Sequence, residues 1–125
     1  MHAPNVFNGK CSTRVVLDRI GDKWAVLILI LLCEEPLRFN ELRRRIDGIS
    51  QKMLSQTLKS LERDGLVGRT AFPTVPVTVE YRITPLGMTL HQAVEGLRVW
   101  AESHLADVAA AQRRYDSGEA LAAAA

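Results

Sequence analysis

Lys52, Ser55, Gln56, Lys59 and Arg63 fall on one side of a helix if residues 51–63 are helical, with Gln51 at the edge of the group. At 100° per residue, Met53, Leu54, Leu58 and Leu61 then fall on the opposite side, with Thr57 among them. The polar side carries three cations together with amides and a hydroxyl, has no carboxylate at its centre, and places Glu62 toward one flank. Such groups can read nucleic acid. Gln51 and Gln56 match an adenine edge, Lys52 and Lys59 match guanine or phosphate, and Ser55 can serve either. A Lys/Arg/Gln/Ser face is also the ordinary surface of a solvated helix. The elements around it must decide.

Ser50 is placed to cap the first turn of this helix, and Ile49 to pack on Leu54 as a hydrophobic staple. Asp64, Gly65 and Leu66 form a stop signal in which Gly65 adopts the left-handed conformation and Leu66 folds back on Leu61. Before it, residues 39–46 predict a short helix with Phe39, Leu42 and Ile46 inward and Arg43, Arg44 and Arg45 largely outward. Asp47 and Gly48 are a turn dipeptide between the two. A short helix, a tight turn and a helix with a basic outer face make a helix-turn-helix arrangement.

Further upstream, residues 12–20 predict a first helix, and Asp22 caps a second that carries Trp24 through Cys33 inward until Pro36 turns the chain. Downstream the period changes to two. Val77, Val79, Tyr81 and Ile83 alternate with Thr78, Glu80 and Arg82, the pattern of a half-buried strand, and "LVGRT" is its partner. "AFPTVP" between them should protrude as a stiff loop, because Pro73 and Pro76 lack donors. A hairpin directly after the basic helix is a wing. Thr84 and Pro85 then open a final helix with Leu86, Leu90, Val94, Leu97, Ala101, Leu105 and Val108 at three- or four-residue spacing. Extended to residue 114 it spans about 45 Å at 1.5 Å per residue, more than so small a core can cover, so with the first helix it is the natural dimer element. The low-complexity tail, residues 116–125, should be loose.

The 125 residues, 47% hydrophobic and 24% charged, suit one soluble globular domain over residues 1–125. Net charge is only +2, but residues 36–72 hold eight Lys/Arg against four Asp/Glu, so positive charge concentrates around the basic helix. The apolar run "AVLILILLC" falls far short of the roughly 20 residues that span a bilayer, and the N-terminal segment has no signal core. These features predict a cytoplasmic protein without membrane contact. Cys11 and Cys33 make neither a disulfide framework nor a metal site, and His2, His91 and His104 are scattered. No Ser/His/Asp set, glycine-rich phosphate loop or metal cluster supports an enzyme, and no cofactor is expected.

The segments "IGDKWAVLILILL", "RFNELRRRIDGISQKMLSQTLKSLERDGLVGRT" and "VPVTVEYRITPLG", in this order, resemble the HxlR-type winged helix-turn-helix regulators, relatives of the MarR-type regulators. The resemblance covers residues 11–97. It implies an α+β, mainly α fold: a winged helix-turn-helix with a two-stranded wing and N- and C-terminal dimerisation helices. The expected organisation is a core at residues 11–97 with a dimer helix at 85–114. The implied function is that of a homodimeric, sequence-specific repressor or activator of transcription on double-stranded DNA, with a repressor on a palindromic operator as the expectation. By that likeness Ser50, Gln51, Lys52, Ser55, Gln56 and Lys59 enter the major groove and the hairpin at residues 69–79 lies along the backbone or minor groove. Arg43, Arg44, Arg45 and Arg69 then hold phosphates.

The family often carries a cysteine just before its first helix, and Cys11 stands there, with Ser12 in place of the usual proline. In some members that thiol senses oxidants, quinones or aldehydes. Lys10, Arg14 and a helix N-terminus would favour the thiolate, whereas free cysteines are commonly buried and inert. The resemblance leaves room for a small-molecule or oxidant effector, although no polar constellation marks a ligand cavity. The rival reading is a winged-helix protein-interaction module without DNA binding, against which the concentrated charge counts.

Overall fold

The architecture rests on a computed structural model that describes residues 7, 17, 18 and 21–118. Asp22 starts the first described helix, α1 (Lys23–Glu34), its Oδ1 accepting from the backbone N–H groups of Trp24 at 3.0 Å and Ala25 at 3.4 Å. Glu35 leaves the helix in an extended conformation, as the steric demand of the following Pro36 requires. The expected helix at residues 12–20 lies outside the described residues except for Leu17 and Asp18, which are helical.

Within α1 only Ala25, Ile28, Leu29 and Leu32 are buried. Leu27 is exposed, Trp24 and Leu31 are partly buried against the core, and Cys33 is half-buried. The expectation of a run pointing inward throughout is thus corrected to a stripe at three- and four-residue spacing, where α1 meets its neighbours. A uniformly apolar run contains no contrast from which that stripe could be read.

A two-residue strand, β1 (Leu37–Arg38), leads into α2 (Phe39–Arg45), and α3 (Gln51–Arg63) follows after the turn at Gly48. The Arg38 backbone N–H donates to Glu41 Oε1 at 3.0 Å, while Arg38 itself offers no acceptor to cap the helix. The wing is β2 (Val67–Phe72) with β3 (Thr78–Ile83), and the last helix is α4 (Pro85–Asp116). The strands form an antiparallel sheet in the order β1-β3-β2, with Leu37 opposite Tyr81 and Val67 opposite Ile83. The wing is two-stranded as expected, but β1 adds a third strand along the other edge of β3. Two residues are too few to show alternation.

β2 also runs further than "LVGRT": Ala71 and Phe72 pair with Val79 and Thr78 before Pro73 ends the ladder. Val77, expected to begin the inward face of β3, precedes the strand and is exposed. The core gathers Ala25, Ile28, Leu29 and Leu32 of α1, Leu42 of α2, Leu54, Leu58 and Leu61 of α3, and Leu37, Leu66 and Val67 beside the sheet. α1 packs on α3 and β3, and α3 on β2. Each fully buried leucine contributes about 1.5–3 kcal/mol.

One junction joins the end of α3, the root of the wing and the start of α4. Leu66 N–H donates to the Leu61 carbonyl at 2.9 Å and Gly65 N–H to the Glu62 carbonyl at 3.0 Å, the pair of bonds of a Schellman ending, with Gly65 at φ +77°. The Thr84 hydroxyl donates to the Gly65 carbonyl at 2.6 Å and accepts from Gly87 N–H at 3.0 Å, while Thr84 N–H donates to the Leu66 carbonyl at 3.1 Å. Gly87 is buried so closely that a Cβ there would lie 2.2 Å from the Leu66 oxygen.

The chain divides into two compact units, residues 1–94 and 95–125, with α4 crossing the division. In the second unit Trp100 and His104 stack at 4.5 Å and Arg98 pairs with Glu95 at 2.6 Å. Among the described residues no helix is long and apolar enough to cross a membrane.

Gly87→Ala is expected to lower unfolding free energy by about 2 kcal/mol or more, since its methyl group must displace backbone. Gly96→Ala, with nothing within 4 Å of its site, should instead raise it by about 0.5–1 kcal/mol. Urea unfolding of both variants at matched protein concentration measures the contrast.

Candidate nucleic-acid interface

The outer side of α3 is fixed by what its inner side buries. Leu54, Thr57, Leu58 and Leu61 are buried, and the Thr57 hydroxyl donates to the Met53 carbonyl at 2.7 Å, so the one polar group on this side is satisfied within the helix. Ser50 Oγ accepts from Met53 N–H at 3.0 Å, which starts the helix, and Ile49 is buried in the same core as Leu54. With both ends pinned, α3 has little freedom to rotate. Gln51, Lys52, Gln56, Lys59 and Arg63 are exposed, and Ser55 is half-buried at the edge.

Met53 departs from the expectation. Placed with the core by its helical angle, it is 38% exposed, because it sits on the flank that the core leaves open. It adds an apolar group beside the polar face, of the kind that contacts a thymine methyl. A narrower inward arc, centred on Leu54 and Leu61, would have excluded it.

The arginines separate into different surroundings. Arg43 is exposed on α2. Arg44 lines an open hollow of about 640 Å³ with Pro36, Arg38, Asn40, Glu41 and Glu80, so two carboxylates offset the two guanidinium groups there. Arg45, grouped by sequence with the phosphate-holding cations, is 3.7 Å from Glu34 and 3.3 Å from Glu35 at the end of α1. Those carboxylates compete for it. Arg69 Nε lies 3.9 Å from Glu62 Oε1, which links the base of the wing to the flank of α3.

Sequence reasoning did not single out Arg82. Its guanidinium lies over Gly68, about 3.1 Å from where a Cβ would stand, and donates to the Thr70 hydroxyl. It is exposed, and the hydrogen bond to Thr70 holds its guanidinium in place. The signal was available: Arg82 faces Gly68 across the ladder, and a glycine opposite a long side chain leaves room for it to lie flat. Cys11 lies outside the described residues. Among the described residues no group of His, Cys, Asp and Glu could hold a metal ion.

α2 and α3 form an HTH pair with a capped, solvent-facing second helix and an attached wing, and a family model described as HxlR-like helix-turn-helix matches residues 19–109. The chain belongs to the HxlR-like helix-turn-helix family. It is 46% identical over 106 residues to the HTH-type transcriptional regulator YtfH of Escherichia coli K12, covering 85% of this chain and 84% of that protein; YtfH is itself uncharacterized. The solved structure of ytfH from Salmonella typhimurium, 42% identical, superposes with a TM-score of 0.82 over 90% of this chain and 100% of that one. The redox regulator HypR in its oxidized form is 40% identical, with a TM-score of 0.69 over 74% of this chain and 96% of that one. The family and these relatives are regulators of transcription, not enzymes, and this HxlR-like chain is a helix-turn-helix transcriptional regulator.

Ser50→Ala should cost about 1 kcal/mol of stability through loss of the cap, and Ser50→Gly only a few tenths. Thermal unfolding of the two variants without DNA measures the cap apart from any contact Ser50 makes with a ligand.

Proposed function

We propose that this HxlR-like regulator binds double-stranded DNA as a homodimer, recognises a roughly palindromic operator and acts as a repressor. The observation that carries the reading is the outer side of α3, where Gln51, Lys52, Gln56, Lys59 and Arg63 face solvent on a helix capped at Ser50 and Gly65. Gln51, Lys52, Ser55 and Gln56 read base edges, with Met53 beside them for a thymine methyl. Lys59, Arg43, Arg44 and Arg69 hold phosphates and supply affinity without sequence choice. Ser50, whose Oγ accepts the cap bond, keeps its hydroxyl proton for a phosphate oxygen.

The chain acts as a single regulatory domain in which α4 carries the dimer contact. Leu97 at 60% and Leu105 at 69% exposure, with Trp100 and Val108, offer an apolar surface on its second half, suited to the same surface of a second copy. A twofold dimer sets the half-sites about one helical turn apart, or a multiple of it. Nothing in this reading requires a cofactor.

Likeness to a redox regulator supports a second element, in which oxidation of Cys11 by an oxidant or electrophile changes operator binding. Cys33, half-buried in the apolar α1, is a packing residue.

Selection from random duplex DNA by the purified protein is expected to enrich a palindrome; no enrichment at low salt overturns the reading. On the enriched duplex, Gln56→Ala should lose about 1–3 kcal/mol of discrimination at one or two positions, whereas Lys59→Ala should weaken all sequences alike and reduce the salt slope by about one. Leu105→Asp should sediment as a monomer. Cys11→Ser should bind the duplex and no longer respond to diamide.

A further inference from the structure

The open hollow of about 640 Å³ beside α2 is lined by charges of both signs and little else. Its volume falls in the range of about 300–1,000 Å³ usual for ligand sites, but Pro36 is its one apolar wall, so it suits a small, strongly polar molecule. β1 pairs with β3 so that Arg38 stands directly opposite Glu80, which puts both side chains on one face of the sheet. α2 places Asn40, Glu41 and Arg44 beside them, with Asn40 and Arg44 one helical turn apart on the same ridge.

These charges do not neutralise one another. Among the described residues no opposite charge lies within 4.0 Å of the Arg38, Arg44 or Glu80 side chains, whereas the neighbouring Arg45 is paired with both Glu34 and Glu35. Glu41 is engaged, its Oε1 accepting from the Arg38 N–H at 3.0 Å. Arg82, the next cation along β3, is turned to Thr70 across the ladder. Glu80 is half-buried, so its carboxylate meets an incoming charge with less screening than one wholly in water. Arg38 and Arg44 are exposed.

Two guanidinium groups and one unengaged carboxylate around a common space match a molecule with two carboxylates and one ammonium group. Each guanidinium takes a carboxylate through parallel N–H donors, and the Asn40 amide adds another donor. Glu80 takes the ammonium. A plain dicarboxylate or an inorganic anion lacks that cation and would leave Glu80 facing negative charge, which discriminates against it.

We propose that the hollow between α2 and the outer face of β1 and β3 binds an acidic α-amino acid, or a compound of the same amino dicarboxylate chemistry. Its carboxylates lie against Arg38 and Arg44 and its ammonium group against Glu80. Occupation withdraws Arg44 from the phosphate contact assigned to it, so the ligand weakens operator binding. That consequence rests on the DNA-binding reading above, whereas the site itself depends on the hollow alone.

Calorimetry on the full chain without DNA tests the site at matched ionic strength, with L-glutamate as the probe and glutarate as the same dicarboxylate without the amine. L-Glutamate is expected to bind saturably and about tenfold more tightly than glutarate. Glu80→Gln should remove that preference, and Arg38→Gln should weaken both compounds about tenfold, with thermal unfolding to check that each variant is folded. No saturable binding of L-glutamate, or equal binding of the two compounds by the parent, overturns the proposal. On the enriched duplex, saturating L-glutamate should weaken parent binding and reduce the salt slope by about one, and Arg38→Gln should need about tenfold more of it. A saturated chain that holds the duplex as tightly as the free one overturns the regulatory consequence. A parent chain that enriches no duplex overturns the DNA-binding reading, and calorimetry still decides the site.

Discussion

Thr84 governs the geometry of the site through a single hydroxyl. It donates to the carbonyl of Gly65 and accepts from the N–H of Gly87, so the end of α3 and the first turn of α4 share one side chain. The Leu66 carbonyl takes Thr84 N–H at the same junction, and the missing Cβ of Gly87 lets the two backbones come so close. β2 begins at Val67, immediately after this knot. The orientation of the wing relative to α3 is therefore set by the hydrogen bonds of Thr84 at its root, with the Arg69–Glu62 pair as a weaker second tie, since exposed ion pairs contribute little.

α3 is held in place by its inner side while its outer side remains almost wholly polar. α3 obtains this from three leucines and a threonine whose hydroxyl is satisfied within its own helix, so no buried polar group competes for another orientation. Capping at Ser50 and the Schellman ending at Gly65 satisfy the terminal N–H and C=O groups that would otherwise fray. The outer side chains of α3 then lie outside the core and face solvent. The arginines divide according to their neighbours: carboxylates engage Arg45, flank Arg44 and lie near Arg69, whereas the cations of α3 have no acidic group at the centre of their face.

The limits of α3, its two caps, its polar face, the hairpin after it and the opening of α4 at Thr84 and Pro85 were all legible in the sequence. Each of these depends on groups a few residues apart: a hydroxyl three residues before an N–H, a glycine that takes positive φ, or an alternation of period two. The resemblance to the HxlR-type regulators could be read for the same reason, since its motifs lie in those contiguous segments. Other features depend on residues distant in the chain. The inward stripe of α1 emerges where α3 and the sheet cover it; β1 exists because β3 has a free edge; and Met53 is exposed because the core ends beside it. The pairing of Arg45 with Glu34 and Glu35 and the lie of Arg82 over Gly68 are likewise cross-chain contacts. Local spacing encodes local hydrogen bonds, but a side chain's neighbours across the fold are set by packing, which no short window of sequence contains.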